Sequence, residues 1–160
     1  MIPTLLAVHN AEEAFALRSG LPNLRGAVPE PFADVAARLT PAVVAQVLVA
    51  LSVAAFGLAA VAASRPGSRV ALWLLLTLEV AVGLNVVAHI ASAVLVFHGY
   101  GPGLVTAVLL NAPFAVYCVR RARRERWLSP TALRATVPAA IILHGPVLLG
   151  GLWLAAHLEG

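Results

Sequence analysis

Residues 70–97 read VALWLLLTLEVAVGLNVVAHIASAVLVF. In this run of 28 residues the polar side chains are Thr77, Glu79, Asn85, His89 and Ser92, besides the indole N–H of Trp73. At about 1.5 Å per residue a helix of this length crosses the roughly 30 Å hydrocarbon core of a bilayer with length to spare. Three more apolar runs are long enough to span: 41–63, 102–119 and 137–157, of which the first two hold no charged residue. A fifth run, 2–17, is shorter, about 24 Å as a helix, and is interrupted by His9, Asn10, Glu12 and Glu13. It is expected to span at a thinned spot or to lie partly in the interface. The fold class that follows is all-α: a polytopic membrane helical bundle of about five helices forming one transmembrane domain over residues 1–160.

Composition agrees. The hydrophobic class makes up 61% of the chain and charged residues 11%, against about 45–50% and 25% in ordinary soluble domains. The mean hydropathy is +0.91. Neither a soluble globular domain nor a disordered chain has such a balance. A single cysteine, Cys118, excludes a disulfide framework and any multi-cysteine metal site; it reads as a small apolar filler. All 11 basic residues are arginine. Together with abundant Ala, Val, Leu and Gly, this suggests a GC-rich bacterial genome.

The sequence pI near 10.6 invites a nucleic-acid reading, which the placement of charge rejects. Arg120, Arg121, Arg123, Arg124 and Arg126 form one run, and Arg65 and Arg69 flank a short turn. Arginine clusters between long apolar segments are what the positive-inside rule predicts for cytoplasmic loops. The expected location is therefore the bacterial inner membrane, with both arginine clusters in the cytoplasm. Residues 18–40, with Pro22, Gly26, Pro29 and Pro31, read as a loop on the outer side, ending in a short amphipathic approach over residues 32–39. The first run lacks the basic n-region of a signal peptide, and the last residues, 158–160, are given no role.

Ionisable groups at bilayer depth cost about 2.5–3.5 kcal/mol each on insertion scales, so those that are kept are usually used. His9, Glu12 and Glu13 share one arc of the first helix, at i, i+3 and i+4. Asn85 and His89 are one turn apart on another helix. Counted from the outer ends of their runs, His9 and His89 both lie about 12 Å deep. Glu79 points about 80° away from His89 around its helix. His144 lies at a depth comparable to Glu79, beside Gly145-Pro146, where a helix can kink and free its carbonyls. Tyr100 and Thr106 flank the turn Gly101-Pro102-Gly103.

Three motifs lie in order along the chain: His9-Asn10-Ala11-Glu12-Glu13, then Asn85-Val86-Val87-Ala88-His89, then Tyr100-Gly101-Pro102-Gly103-Leu104-Val105-Thr106. They match the patterns HxxEE, NxxxH and YxPGxxT, and in this hydrophobic setting the chain resembles the HXXEE family of bacterial integral membrane proteins. That family has no known function and is suspected of being enzymatic. The resemblance implies a class and leaves the reaction open.

The residues allow a more specific expectation. In metalloprotease helices two ligands at i, i+4 hold zinc and a neighbouring glutamate acts as base. By analogy His9, Glu13 and His89 are expected as metal ligands and Glu12 as the base, with Glu12 or His144 as alternative ligands and Tyr100 as a second candidate catalytic group. Asn85, Glu79 and Thr106 are expected to orient the ligands. A His₂Glu site with an open position suits zinc; iron is the alternative. The leading expectation is a metal-dependent hydrolase acting on a lipid or another apolar substrate that enters from the bilayer. An iron-dependent membrane oxidoreductase is a second reading. A proton-coupled transporter is a third, since buried His and Glu also serve proton relays. The sequence leaves the oligomeric state open.

Overall fold

The computed structural model describes residues 1–30 and 33–158. Pro31 and Phe32, at the end of the anticipated loop and the start of its amphipathic approach, lie outside the described residues, as do Glu159 and Gly160. The described residues form a helical bundle without strands. In chain order the helices are α1 (Ile2–Ala27), α2 (Ala33–Arg38), α3 (Pro41–Ser64), α4 (Arg69–Leu95), α5 (Leu104–Arg124) and α6 (Pro130–Leu158). The last four are long and apolar enough to cross a membrane. Their outward faces carry exposed apolar side chains such as Val53, Phe56, Val87, Leu109 and Ile141. A surface of this kind suits acyl chains.

Helix starts follow local chemistry. The hydroxyls of Thr40, Ser68 and Ser129 accept from the backbone N–H groups of Val43, Ala71 and Ala132 at 3.1–3.2 Å. Each thereby satisfies one of the orphan donors at a helix N-terminus. The Ser129 cap starts α6 at Pro130, seven residues before the apolar run beginning at Val137, because Pro is well suited to the first helical position.

The largest departure from the sequence reading is in α1. The sequence predicts a loop over residues 18–27, yet the helix continues through them to Ala27, across Pro22. An internal proline removes one backbone hydrogen bond and costs about 3 kcal/mol. Packing offsets that cost: Leu17 and Leu21, one turn apart, are 3% and 4% exposed and pack against Val44 and Leu48 of α3, with Leu24 beside them. Gly20 allows the same helix to approach the 101–103 turn, since a Cβ there would stand 2.7 Å from Pro102 Cγ. Asn10 fastens α1 to α3 by donating to the Leu48 carbonyl and the Ser52 hydroxyl, both at 3.0 Å.

Helix α4 is central. It packs against α1, α3, α5 and α6, and its buried residues lie on several faces, as its nearly continuous hydrophobicity requires. Trp73 Nε1 donates to the Ala132 carbonyl at 3.0 Å, which brings the starts of α4 and α6 together. The Arg65–Arg69 turn and the Arg120–Arg126 segment therefore lie at one end of the bundle. Cys118 packs there with Leu76, Ala122 and Leu128 as a small core residue. Two wide π-turns interrupt the long helices, at Ala107–Asn111 in α5 and Leu143–Val147 in α6. The second contains Gly145-Pro146, where the sequence anticipates a kink.

Candidate metal centre

In the half of the bundle away from the arginine end, α1 and α4 face each other. Helix α1 presents His9 and Glu13 one turn apart, and α4 presents Asn85 and His89 with the same spacing. His9 Nε2 and His89 Nε2 are 3.1 Å apart, with the rings edge to face at 80°. Glu13 Oε2 stands 3.7 Å from His9 Nε2 and 3.9 Å from His89 Nε2. The candidate ligand atoms of these three residues lie within 4.8 Å of one another. His9 is fully buried and His89 nearly so. The Asn85 amide nitrogen lies 2.9 Å from His9 Nε2 and 3.1 Å from His89 Nε2.

The protonation of His9 follows from its other nitrogen. Glu12 accepts four hydrogen bonds: from the Tyr100 hydroxyl at 2.8 Å, the Val105 N–H at 3.2 Å, the Thr106 N–H at 2.8 Å and the Thr106 hydroxyl at 2.5 Å. Its carboxylate thus sits at the N-terminus of α5, where backbone donors and the helix dipole favour an anion. Because the Thr106 hydroxyl gives its one proton to Glu12, it can only accept from His9 Nδ1, at 2.9 Å. His9 Nδ1 therefore carries the ring proton, and the Nε2 lone pair points at His89. At 3.1 Å, two lone pairs repel unless a proton, the Asn85 amide or a cation lies between them.

The donor set fits a divalent ion. Two ligands at about 2.0–2.1 Å from zinc with tetrahedral angles stand about 3.3 Å apart, close to the His9–His89 separation, and the Glu13 carboxylate lies slightly farther out. Turning the Asn85 amide over would replace its donor with an oxygen ligand. Gly103 closes one wall. With φ at +75° it adopts a conformation that favours glycine, and a Cβ there would stand 2.8 Å from His89 Cε1 and 2.9 Å from His9 Cε1.

The remaining candidates fall elsewhere. Glu12 stands outside the ligand group, engaged by Tyr100, Val105 and Thr106. Tyr100 is half exposed at the rim. Loss of surrounding water and the Glu12 carboxylate push its phenol up to about 12, so it remains a donor. His144, in the second π-turn, lies on the wall of a cavity of about 140 Å³ that Glu13, Asn85 and Asn10 also line, among leucines and valines. It is not one of the grouped ligands. Glu79 is buried at 2% exposure, with Oε1 lacking a hydrogen-bond partner among the described residues. No hydrogen bond or ion pair joins it to His144 there.

Gly103 as a wall and Asn111 as a buried group have no counterpart among the sequence expectations. Asn111 ends the first π-turn at 1% exposure, with neither amide atom bonded among the described residues. Its one visible signal was a polar residue in an otherwise apolar run.

No curated protein and no solved structure matches this chain. A family model described as "Protein of unknown function with HXXEE motif" matches residues 1–118. The matched stretch contains His9, Glu12, Glu13, Asn85, His89, Tyr100 and Thr106, and it stops before α6 and His144. Since it covers well over half of the 160 residues, the chain belongs to the HXXEE family, whose function is unknown.

Proposed function

We propose that this protein is a metal-dependent integral membrane enzyme, most simply a hydrolase of a lipid or another apolar substrate. The observation that carries the reading is the approach of two buried imidazole Nε2 atoms to 3.1 Å with a carboxylate beside them. His9, His89 and Glu13 would hold the ion, with zinc favoured and iron the alternative. When bound, the ion supplies Lewis acidity and can draw the pKa of a water toward about 7. Glu12, through Thr106, keeps the His9 Nε2 lone pair directed inward. That is a positioning role, in place of the base role suggested by the motif's shape. Glu13 and Asn85 border the cavity and would orient the reacting group, while the leucine and valine walls exclude water. His144 would meet the polar end of a substrate from the far wall.

A di-iron oxidoreductase is less well supported: such bundles commonly use four carboxylates with two histidines, and the group here has one carboxylate. We place the chain in the bacterial inner membrane with its arginine end in the cytoplasm. The test is mass spectrometry of proteoliposomes loaded with total lipid extract. The expected result is product formation that a chelator abolishes and that is absent in His9→Ala. Proton movement across the vesicles with no product in any lipid class would instead make the protein a carrier.

A further inference from the structure

At the arginine end, α4, α5, α6 and the α5–α6 connection flank a second cavity, an open groove of about 960 Å³. Arg69, Arg123, Arg126 and Arg134 line it, and Val80 and Val119 contribute apolar wall. The four arginines come from three separate segments, so their meeting at one groove is a product of the fold rather than of one charged run. Among the described residues none of them has an ion-pair partner. The nearby carboxylate of Glu125 is already used, accepting from Arg121 Nε and Trp127 Nε1, both at 2.8 Å.

Backbone geometry also marks this place. Arg126 has φ of +55°, and the Trp127 N–H donates to the Ala122 carbonyl at 3.0 Å. That is a helix C-terminal turn whose left-handed position glycine usually fills. A side chain there costs about 1–2 kcal/mol, yet an arginine occupies it and lines the cavity.

We infer that this cavity binds a phosphate-bearing anion, with the guanidinium rim taking the phosphate and the valine wall facing the apolar part of the ligand. Guanidinium forks match phosphate oxygens in pairs, and basic pockets between membrane helices take anionic headgroups. An anionic phospholipid and a soluble phosphate ester share this chemistry.

Native mass spectrometry of the full chain, delipidated and then exposed to phosphatidylglycerol or phosphatidylcholine, tests the inference. Wild type should retain phosphatidylglycerol in preference to phosphatidylcholine. Arg69→Gln/Arg134→Gln should lower that retention about fivefold per arginine removed. Arg69→Lys/Arg134→Lys, which keeps the charge, should lower it less and serves if the glutamine variant melts early. Arg65→Gln/Arg120→Gln removes equal charge outside the cavity and should leave retention unchanged. Displacement of the lipid by millimolar inorganic phosphate would identify the phosphate group alone as the ligand; retention in its presence would assign the site to the lipid. Equal loss in the cavity and control variants, or no preference for phosphatidylglycerol, would overturn the inference.

Discussion

His9 donates through Nδ1 to the hydroxyl of Thr106 at 2.9 Å. Together with the Glu12 hydrogen bonds it ties α1 to the first turn of α5, and it decides which ring nitrogen of His9 is free. Thr106→Val removes the hydroxyl and leaves every candidate ligand in place. Partners of this type are commonly worth 10–100-fold in metal affinity. A competitive zinc titration should show a loss of that size for Thr106→Val and near-complete recovery in Thr106→Ser. Equal affinities in all three proteins would remove the relay from the account.

Glu12 and Glu13 are separated by the same reasoning. Glu13→Gln should lower metal content, since an amide is a neutral and poorer ligand. Glu12→Gln should keep metal stoichiometry but weaken affinity and lower the melting temperature. It disturbs four hydrogen bonds to a charged group, a class of bond worth about 1.5–3 kcal/mol each before compensation. Metal content and thermal melts of both variants check this. Metal lost in Glu12→Gln and kept in Glu13→Gln would reverse the roles.

The Tyr100 phenol is held protonated up to about 12. Its folded-state pKa exceeds the unfolded value near 10, so the folded state binds the proton more tightly. This contribution to stability is complete below pH 10 and is lost as pH rises from about 10 to 12. Ultraviolet phenolate titration in a Tyr117→Phe background should give a midpoint near 12, falling toward 10 in Glu12→Gln. An unchanged midpoint in that variant would mean that Glu12 does not hold the phenol.

Gly103→Ala combines a strained φ with a collision against both imidazoles. Overpacking of this kind costs about 1–3 kcal/mol. The variant should melt earlier and bind metal less well, whereas Gly57→Ala, in open space on α3, should bind metal as wild type does and melt no earlier, since alanine is the better helix former. Normal metal binding by Gly103→Ala would show that the wall can move without consequence for the site.

The candidate site was legible where residue type contradicted environment. His9, Glu13, Asn85 and His89 are polar groups on apolar helices, and a spacing of four sets each pair on one face. What spacing could not show is the division of labour between Glu12 and Glu13. Both lie on the same arc, and only the placement of the α5 N-terminus draws Glu12 away. The sequence understates the length of α1 for a related reason. Gly20, Pro22 and Gly26 punctuate it, while the Leu17–Leu21–Leu24 stripe that overrides them takes its energy from α3, a partner distant in sequence. The π-turns left no periodic trace. The shared position of the two arginine clusters, in contrast, was plain from charge alone.

The central claim is that His9 and His89 hold a divalent metal between them. Elemental analysis of the detergent-purified chain, saturated with zinc and then freed of loosely bound ion, tests it most directly. The account predicts one zinc per chain in wild type, lost in His9→Ala and in His89→Ala and kept in His157→Ala, whose histidine lies at the far end of α6. A wild-type chain free of metal after saturation, or His9→Ala and His89→Ala variants that keep it in full, would contradict the account.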